Sequence, residues 1–324
     1  MTRVVFLLFS IIFFVGINIV NVIFIGYAQV ELSVAPHPCR RMINSIIIDK
    51  ERGETVYIKN FTTRDNIIVG YKSINGGEMW DNMIDETGRV AAVIQNPNNA
   101  SIIYNIIDNK LNKSTNNGKN WVVVNGTWDK SAAFAAYQKN PKILYAYGIN
   151  EIKDYYWGKY ERGGIYKSVN EGSIWNLMLP ANDIKNLAID PDNPDIIYAG
   201  TLYQGVYRSI DGGKQWNTVK NGLPAYEPIN VLEIDPAHSN TIYIGTRSGV
   251  FKSNDRGLSW YSVSYGLPSR NTYQKYSNPL VLTLAINTQN PAIIYAGTSY
   301  EGVFKSTNGG ELWNQINEGI PCSD

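Results

Sequence analysis

The chain has little of the chemistry on which most metal proteins and hydrolases depend. Its 324 residues contain only two histidines and two cysteines. His37 and His238 stand far apart in the sequence, and neither belongs to a pattern of metal ligands or of a catalytic triad. No glycine-rich loop follows a strand and opens a helix, as phosphate-binding loops do. The sequence therefore predicts no metal site and no cofactor.

A surplus of one charge is also missing, since 29 basic residues balance 28 acidic residues. A nucleic-acid-binding protein would need a clustered basic surface, so nucleic acid is not an expected partner. Helical periodicity is scarce as well. The 28 glycines, 14 prolines and 22 tyrosines, together with frequent isoleucine and valine, favour strands and turns. These features predict an all-β chain.

Hydrophobic residues concentrate at the N-terminus. Residues 4–28 carry no charge and end in Gly26-Tyr27-Ala28, a small-x-small pattern typical of a signal cleavage site. We interpret residues 1–28 as an export signal. Because residues 4–25 are also long enough to span a bilayer, an uncleaved anchor is the alternative, and it would be the expected contact with a membrane. Both interpretations predict that the rest of the chain is exported, to the periplasm or the extracellular space.

An eight-residue frame, Ser-x-Asp/Asn-x-Gly-x-x-Trp, recurs six times along the chain. Its copies are SINGGEMW (73–80), STNNGKNW (114–121), SVNEGSIW (168–175), SIDGGKQW (209–216), SNDRGLSW (253–260) and STNGGELW (306–313). Successive copies begin 41–54 residues apart. Repeats with periods of about 40–50 residues are typical of propellers, of some helical solenoids and of other arrays.

One repeat, residues 184–220, contains four short apolar runs separated by turn signals. They predict strand A at NLAID, strand B at DIIYAG, strand C at GVYRS and strand D at KQWNTV. Four strands per repeat predict a single β-propeller of four-stranded antiparallel blades over residues 43–324, after an N-terminal segment, 29–42, that contains Cys39. One complete module accompanies each frame, so we predict six blades; a seventh blade without a frame is the alternative.

Each frame falls on the hairpin between strands C and D, and turn chemistry explains its residues. Asp or Asn at the third position can accept hydrogen bonds from turn amides, and Gly at the fifth permits a positive φ. Trp at the eighth position is expected to fill the gap between neighbouring blades. The residues with this structural role are Asn75, Trp80, Asn116, Trp121, Asn170, Trp175, Asp211, Trp216, Asp255, Trp260, Asn308 and Trp313.

The six frames resemble Asp-boxes, also called BNR repeats, and NPDIIYAGT…GVYRSIDGGKQW is similar to the repeats of exported Asp-box propellers. That group includes sialidases, xyloglucan-active hydrolases, sortilin-type receptors and photosystem II assembly factors. The resemblance covers about residues 43–321 and implies the propeller fold. It leaves the function open, because one fold hosts unrelated activities.

The two cysteines stand at opposite ends of the predicted ring. Cys39 precedes the first strand and Cys322 follows the last, while the first and last strands both lie within their own modules. A ring without a shared blade needs another latch, and two cysteines in an exported protein usually pair. We therefore predict a Cys39–Cys322 disulfide, with two unpaired thiols as the alternative.

Binding residues are expected on the side of the ring opposite the frames. The turns between strands B and C and the connections from D to the next A lie on that side, which we call the loop face; the frames mark the frame face. Two long connections, 150–163 and 265–279, belong to the loop face, where binding usually resides. The candidate ligand- or partner-binding residues are Trp128, Asp154, Tyr155, Tyr156, Trp157, Tyr160, Glu161, Arg162, Tyr203, Tyr226, Glu227, Arg270, Tyr273, Lys275, Tyr276, Tyr300 and Glu301.

Aromatic residues with scattered charges suit a protein interface or sugar stacking, although some of the tyrosines could simply pack the loops. The Arg-Ile-Pro signature of sialidases is absent, and xyloglucan-active enzymes clasp substrate between two propellers, whereas this chain encodes one. A glycosidase would need two carboxylates from among Asp154, Glu161, Glu227 and Glu301. The leading hypothesis is a non-catalytic scaffold, assembly factor or subunit of an envelope complex that binds a protein. The alternative is a carbohydrate-binding or glycoside-hydrolysing protein with unknown catalytic residues.

Overall fold

The structure is a computed structural model. It describes residues 41–49, 52–61, 68–83, 94–95, 102–107, 110–116, 119–124, 128–140, 142–154, 158–268 and 280–321. For 44, 59–61, 68–69, 82–83, 94–95, 103, 105–107, 132, 152–154 and 158–161 it describes the backbone alone. The chain divides into two units, Met1–Pro36 and His37–Asp324, and every described residue belongs to the second. Within these ranges no helix is both long and apolar enough to cross a bilayer.

The described residues form six four-stranded antiparallel sheets and no helix. The strands, sheet by sheet, are β1 (Ile43–Ile48), β2 (Val56–Phe61), β3 (Ile68–Ser73) and β4 (Asp81–Met83); β5 (Ile94–Gln95), β6 (Ile103–Ile107), β7 (Lys110–Ser114) and β8 (Val122–Val123); β9 (Lys130–Ala136), β10 (Leu144–Asp154), β11 (Gly158–Ser168) and β12 (Asn176–Pro180); β13 (Ile184–Ile189), β14 (Ile197–Thr201), β15 (Val206–Ser209) and β16 (Asn217–Val219); β17 (Ile229–Ile234), β18 (Ile242–Thr246), β19 (Gly249–Ser253) and β20 (Tyr261–Ser262); β21 (Val281–Ile286), β22 (Ile294–Thr298), β23 (Val303–Ser306) and β24 (Asn314–Gln315).

Within each sheet the strands pair in chain order, and each sheet holds one frame between its third and fourth strands. The first strands of neighbouring sheets contact each other: β9 with β13, β13 with β17, β17 with β21, and β21 with β1. They therefore form the inner side of the arrangement, and the fourth strands form the outer side. The second strands β14, β18 and β22 are buried along their whole length, which explains why they read as continuous apolar runs.

The core is distributed among the interfaces between sheets. Ile229, Leu232 and Ile244 of one sheet pack against Ile196 and Val206 of the preceding sheet. Each such side chain, once buried, contributes about 1.5–3 kcal/mol relative to an exposed one. Apolar side chains shared by neighbouring sheets thus hold the sheets together.

The frame is a turn in which the serine and the Asp or Asn side chains bond to each other and to turn amides. In the fourth frame, Ser209 Oγ donates to Asp211 Oδ1 at 2.9 Å, and the Gln215 amide donates to the same oxygen at 2.9 Å. The Gly213 amide, at φ 93°, donates to Ser209 Oγ. The seventh-position amide makes the corresponding contact to the third-position side chain in all six frames, at residues 79, 120, 174, 215, 259 and 312.

Three frame tryptophans tie their sheet to the one before it. The indole Nε1 of Trp80, Trp260 and Trp313 donates to Ile316 O at 2.7 Å, Val219 O at 3.3 Å and Val263 O at 2.7 Å, respectively. Trp216 differs, because its Nε1 donates to Gly213 O within its own frame. It also lies before β16, whereas the sequence predicted it within strand D.

A second contact between sheets was not predicted. In four sheets a second-strand tyrosine donates its hydroxyl to a carbonyl in the next frame: Tyr145 to Gly212, Tyr198 to Arg256, Tyr243 to Gly309 and Tyr295 to Gly76, at 3.0–3.1 Å. A third-strand lysine, Lys167, Lys252 or Lys305, reaches the same glycine carbonyl and lies over the tyrosine ring. We call this pair the Tyr-Lys clasp.

The first and last sheets meet through the same contacts as their neighbours. Tyr295 and Lys305 of the last sheet bind Gly76 O of the first frame, and Asn287 Nδ2 donates to Gly53 O at 3.0 Å. Arg41 adds a parallel bridge to Glu301, and its Nε donates to Ile320 O at 2.8 Å. The two cysteines lie outside the described residues.

Candidate functional site

Hydrogen bonds define the two faces of the sheets. The frame amides of Gly212 and Gly309 donate to Asp195 O and Ala292 O, which belong to the turns between first and second strands. These turns and the frames therefore share one end of the strands. Because the strands are antiparallel, the remaining turns and the connections between sheets lie at the other end, the loop face.

The most distinctive feature of the loop face is a β-hairpin in the third sheet. The β10–β11 ladder runs from Leu144↔Ser168 to Asp154↔Gly158, whereas the β14–β15 ladder ends after Gly200↔Val206. The six outer pairs, from Ile149↔Gly163 onward, have no counterpart in the fourth sheet. At about 3.3 Å per residue they extend the strands by about 20 Å. We call residues 149–163 the projecting hairpin; the sequence predicted a long loop here.

The inner side of this hairpin is anchored at its base. The Asp129 amide donates to Ile149 O at 3.0 Å, and Asp129 Oδ2 accepts from the Glu151 amide at 2.8 Å. Lys130 Nζ lies 2.8 Å from Glu151 Oε1 in an ion pair whose two side chains are partly exposed. These contacts fix the point at which strand β10 leaves the face.

The outer side of the hairpin is anchored as well. Gly163 N donates to Asn182 Oδ1 at 3.0 Å, and Ala181 N donates to Gly163 O at 3.1 Å. A Cβ at Gly163 would overlap the Tyr147 hydroxyl and Ala181 O, so the close approach requires glycine. With both sides held, the base of the hairpin has a defined direction.

Three of the predicted tyrosines expose their rings on turns and connections of the loop face. Tyr203 is 57%, Tyr226 81% and Tyr300 41% exposed. Tyr226 has a φ of 56°, a conformation that non-glycine residues rarely adopt and that often marks a functional constraint. Arg162 at the base of the projecting hairpin is exposed too. Large exposed rings and arginine are the side chains most enriched at binding hot spots.

The predicted carboxylates differ in solvent exposure and in hydrogen bonding. Glu227 is only 7% exposed; its Oε1 accepts from the Ser248 amide at 2.7 Å and its Oε2 from Ser248 Oγ at 3.1 Å. Both oxygens thus position the β18–β19 turn. Glu301 is exposed, and its backbone carbonyl accepts from two side-chain amides. Asp154 and Glu161 lie in the projecting hairpin, opposite Gly158 and Glu151 in the register.

Trp128, which the sequence assigned to the loop face, lies before β9 and packs against a buried cluster of the second and third sheets. The ring lies 4.7 Å from Tyr166 and 5.0 Å from Trp175, and its Nε1 donates to Ser131 Oγ at 2.6 Å. Gly148 provides the space, since a Cβ there would overlap the indole. The aromatic cluster explains why an unframed tryptophan is found at this position.

Several predicted residues lie outside the described part of the chain: Tyr155, Tyr156, Trp157, Arg270, Tyr273, Lys275 and Tyr276. For Tyr160, Glu161 and Asp154 the strand position alone is described. No group of three or more histidine, cysteine, aspartate or glutamate side chains is placed to hold a metal ion within the described ranges. A shallow concavity of about 600 Å³ lies between the first and last sheets, beside Arg41 and Tyr71.

Sequence reasoning missed Glu233 on the inner strand β17. Its register position opposite Tyr243 corresponds to Ala135, Ala188 and Ala285, which lie opposite the equivalent tyrosines. Glu233 is half-buried and has no hydrogen bond or ion pair to any residue that the structure describes. Burial raises the pKa of its carboxyl from 4.5 to about 7. A single acid within the otherwise apolar run VLEI (231–234) was the available signal.

Comparison with known proteins finds similarity to solved structures and to no family or curated sequence. No family model matches the chain, and no curated protein matches it either. The Niastella koreensis GH74 enzyme aligns with 86% of this chain and 45% of its own, at 19% identity and a TM-score of 0.57. The extracellular domain of a putative one component system from B. thetaiotaomicron aligns with 82% of this chain and 38% of its own, at 11% identity and a TM-score of 0.54.

YCF48 bound to D1 peptide aligns less well, with 83% of this chain and 78% of its own, at 11% identity and a TM-score of 0.46. This chain spans about half the length of the GH74 chains that it matches. At such identities the likeness concerns the fold alone. Together with the four-stranded antiparallel sheets, the first two matches identify the fold of the described residues as a β-propeller.

Proposed function

We propose that this chain is an exported, non-catalytic propeller that binds a protein partner through its loop face, as an assembly factor or subunit of an envelope complex. The observation that carries this proposal is the projecting hairpin, 149–163. A glycosidase holds two carboxylates on either side of a substrate cleft, whereas a hairpin that stands about 20 Å above the sheet ends presents a convex surface. Convex elements suit a protein partner with its own groove.

The side chains around the hairpin support a protein interface. Tyr203, Tyr226 and Tyr300 offer large rings that lose little conformational entropy when they are buried. Tyr155, Tyr156 and Trp157, which stand between strands β10 and β11 in the sequence, are further candidate anchors. We assign partner binding to these residues together with Arg162.

The carboxylates weigh against glycoside hydrolysis. Glu227 is only 7% exposed and uses both oxygens to hold Ser248, so little of its carboxylate is accessible to a substrate. Asp154, Glu161 and Glu301 are the acids on which a hydrolytic reaction would have to depend. Incubation with polysaccharides and sialosides distinguishes a carbohydrate-binding or hydrolysing activity from the proposed protein binding.

The finer description of the propeller is part of the same proposal. We infer six Asp-box blades, because each of the six sheets carries one frame. We also propose the Cys39–Cys322 disulfide. It is supported by the 2.8 Å bond from Arg41 Nε to Ile320 O, since each of these residues is two positions away from one cysteine. A disulfide agrees with export, which the N-terminal apolar run indicates.

The test combines crosslinking with a glycan panel. A photo-crosslinking residue at position 203 or 300 in the full chain should capture one protein of the producing cell's envelope, and the same residue at 261 should not. Tyr261 is the matched control, because it is 45% exposed and follows a frame. The captured protein, once purified, should bind the chain at least about tenfold more weakly when residues 152–160 are replaced by Asn-Gly, a turn that closes a short hairpin.

The same chain is then incubated with polysaccharides and sialosides, and retention and released reducing ends are measured. We expect neither. Release of reducing ends that is lost in Glu301→Gln or Glu161→Gln would replace the proposal with a glycosidase. Retention without release would replace it with a carbohydrate-binding module.

A further inference from the structure

The projecting hairpin pairs like charges across its two strands. In the register, Glu151 lies opposite Glu161 and Lys153 lies opposite Lys159. Like charges directly opposite each other destabilise an antiparallel pair. Lys130 offsets one of them, through its 2.8 Å ion pair with Glu151. The outer strand of the hairpin thus carries charges that its own partner strand does not match.

Over residues 158–162 that outer strand pairs on one side only, as far as the described strands show. In the third sheet, β12 pairs with β11 up to Gly164↔Pro180, and residues 181 and 182 then bind Gly163. Beyond this point, residues 158–162 pair with β10 and with no other described strand. A two-stranded ribbon is marginally stable in water, and an unpaired edge is a template for a further strand.

The sequence of this edge is complementary to itself. It reads Gly-Lys-Tyr-Glu-Arg over residues 158–162. When a second copy runs antiparallel with Tyr160 at the centre, Lys159 of each copy lies opposite Glu161 of the other. A parallel alignment in register would instead place lysine beside lysine and glutamate beside glutamate. The two-fold symmetric arrangement is therefore the one that the charges favour.

We infer that this chain forms a symmetric dimer in which β11 of each copy pairs with β11 of the other through residues 158–162. The two hairpins become one four-stranded ribbon, in the order β10-β11-β11-β10. The inner edge of the hairpin is a poorer alternative, because Asp129 already binds Ile149 and Glu151 and leaves only residues 152–154 open. That edge also faces the inner side of the propeller, as the strand order β12-β11-β10-β9 requires.

A charge exchange tests the dimer without any partner protein, so its failure is distinct from failure of the proposed function. The full chain in detergent is examined by sedimentation, with the detergent mass subtracted. Lys159→Glu and Glu161→Lys each replace two attractive contacts by repulsive ones, and each should weaken dimerisation by about tenfold or more. The double variant K159E/E161K should restore it.

Mixing the two single variants gives the sharpest result, because Lys159→Glu and Glu161→Lys are complementary to each other. We expect the mixture to form a heterodimer while each variant alone dissociates. Lys214→Glu and Glu311→Lys, exposed charges in two frames, are the matched controls and should leave the dimer unchanged. Amide hydrogen exchange at 158–162 should slow as the parent chain is concentrated. A monomer at every concentration, or a dimer that all of these variants leave unchanged, would overturn the inference.

Discussion

Replacing Glu233 by glutamine should stabilise the protein in alkaline solution and leave its stability unchanged in acid. Glu233 is half-buried on the inner strand β17, without a hydrogen bond or ion pair to any described residue, and burial raises its pKa from 4.5 to about 7. Equivalent positions in three other sheets carry alanine. The fold therefore does not need a charge at this position.

The pKa of Glu233 sets both the sign and the size of the effect. Because the folded state holds the proton more tightly than the unfolded chain, the stability contributed by this group is complete below pH 4.5. It is lost as the pH rises through about 7, the folded value. The interval between the two pKa values corresponds to about 3 kcal/mol. Since water reaches part of the side chain, we expect about 1–3 kcal/mol.

Urea unfolding followed by tryptophan fluorescence measures this difference. The free energy of unfolding of Glu233→Gln should exceed that of the parent by about 1–3 kcal/mol at about pH 8, and by nothing measurable at about pH 4. Glu301→Gln, at an exposed carboxyl, is the control and should behave alike at both values. An equal effect of Glu233→Gln at the two pH values would refute the reasoning, because a loss or gain of packing does not depend on protonation.

Two further predictions concern the contacts that hold the sheets together. Mass mapping without reductant should find a Cys39–Cys322 peptide, and reduction should cost on the order of 5 kcal/mol in the free energy of unfolding, because the closed loop is long; unpaired thiols at both positions would contradict the latch. Tyr295→Phe should cost about 1 kcal/mol through loss of the bond to Gly76 O. The hydroxyl of Tyr104 has no partner among the described residues, so Tyr104→Phe should cost much less stability. Equal losses of stability in thermal unfolding would argue against the role of the clasp.

The repeat architecture could be predicted from the sequence because the frame is local. Ser209, Asp211 and Gly213 satisfy one another within five residues, so their spacing alone identified a turn. Strand order followed from six copies of that turn. Element ends were less accurate: β13 begins at Ile184 and β16 at Asn217, since pairing with neighbouring strands sets them.

The candidate site was predictable only in part. Exposed tyrosines on short turns were identified, because the frame fixes which connections share a face. Contacts between residues distant in sequence could not be foreseen, such as that of Ser248 with Glu227 or that of Trp128 with Trp175. The segment 150–163 was identified as long, but its alternation of residues did not indicate that it would continue both strands of the sheet.

The Tyr-Lys clasp gives the sheets a direction. In four of the six sheets a tyrosine reaches forward to the frame of the next sheet, and the last sheet reaches the first frame in this way, through Tyr295 and Gly76 O. The junction of the first and last sheets therefore shares the clasp with junctions inside the chain, and Arg41 adds its bridge to Glu301 there. The contacts between these sheets therefore do not depend on which sheet comes first in the chain. A gene that begins at another sheet would encode the same contacts.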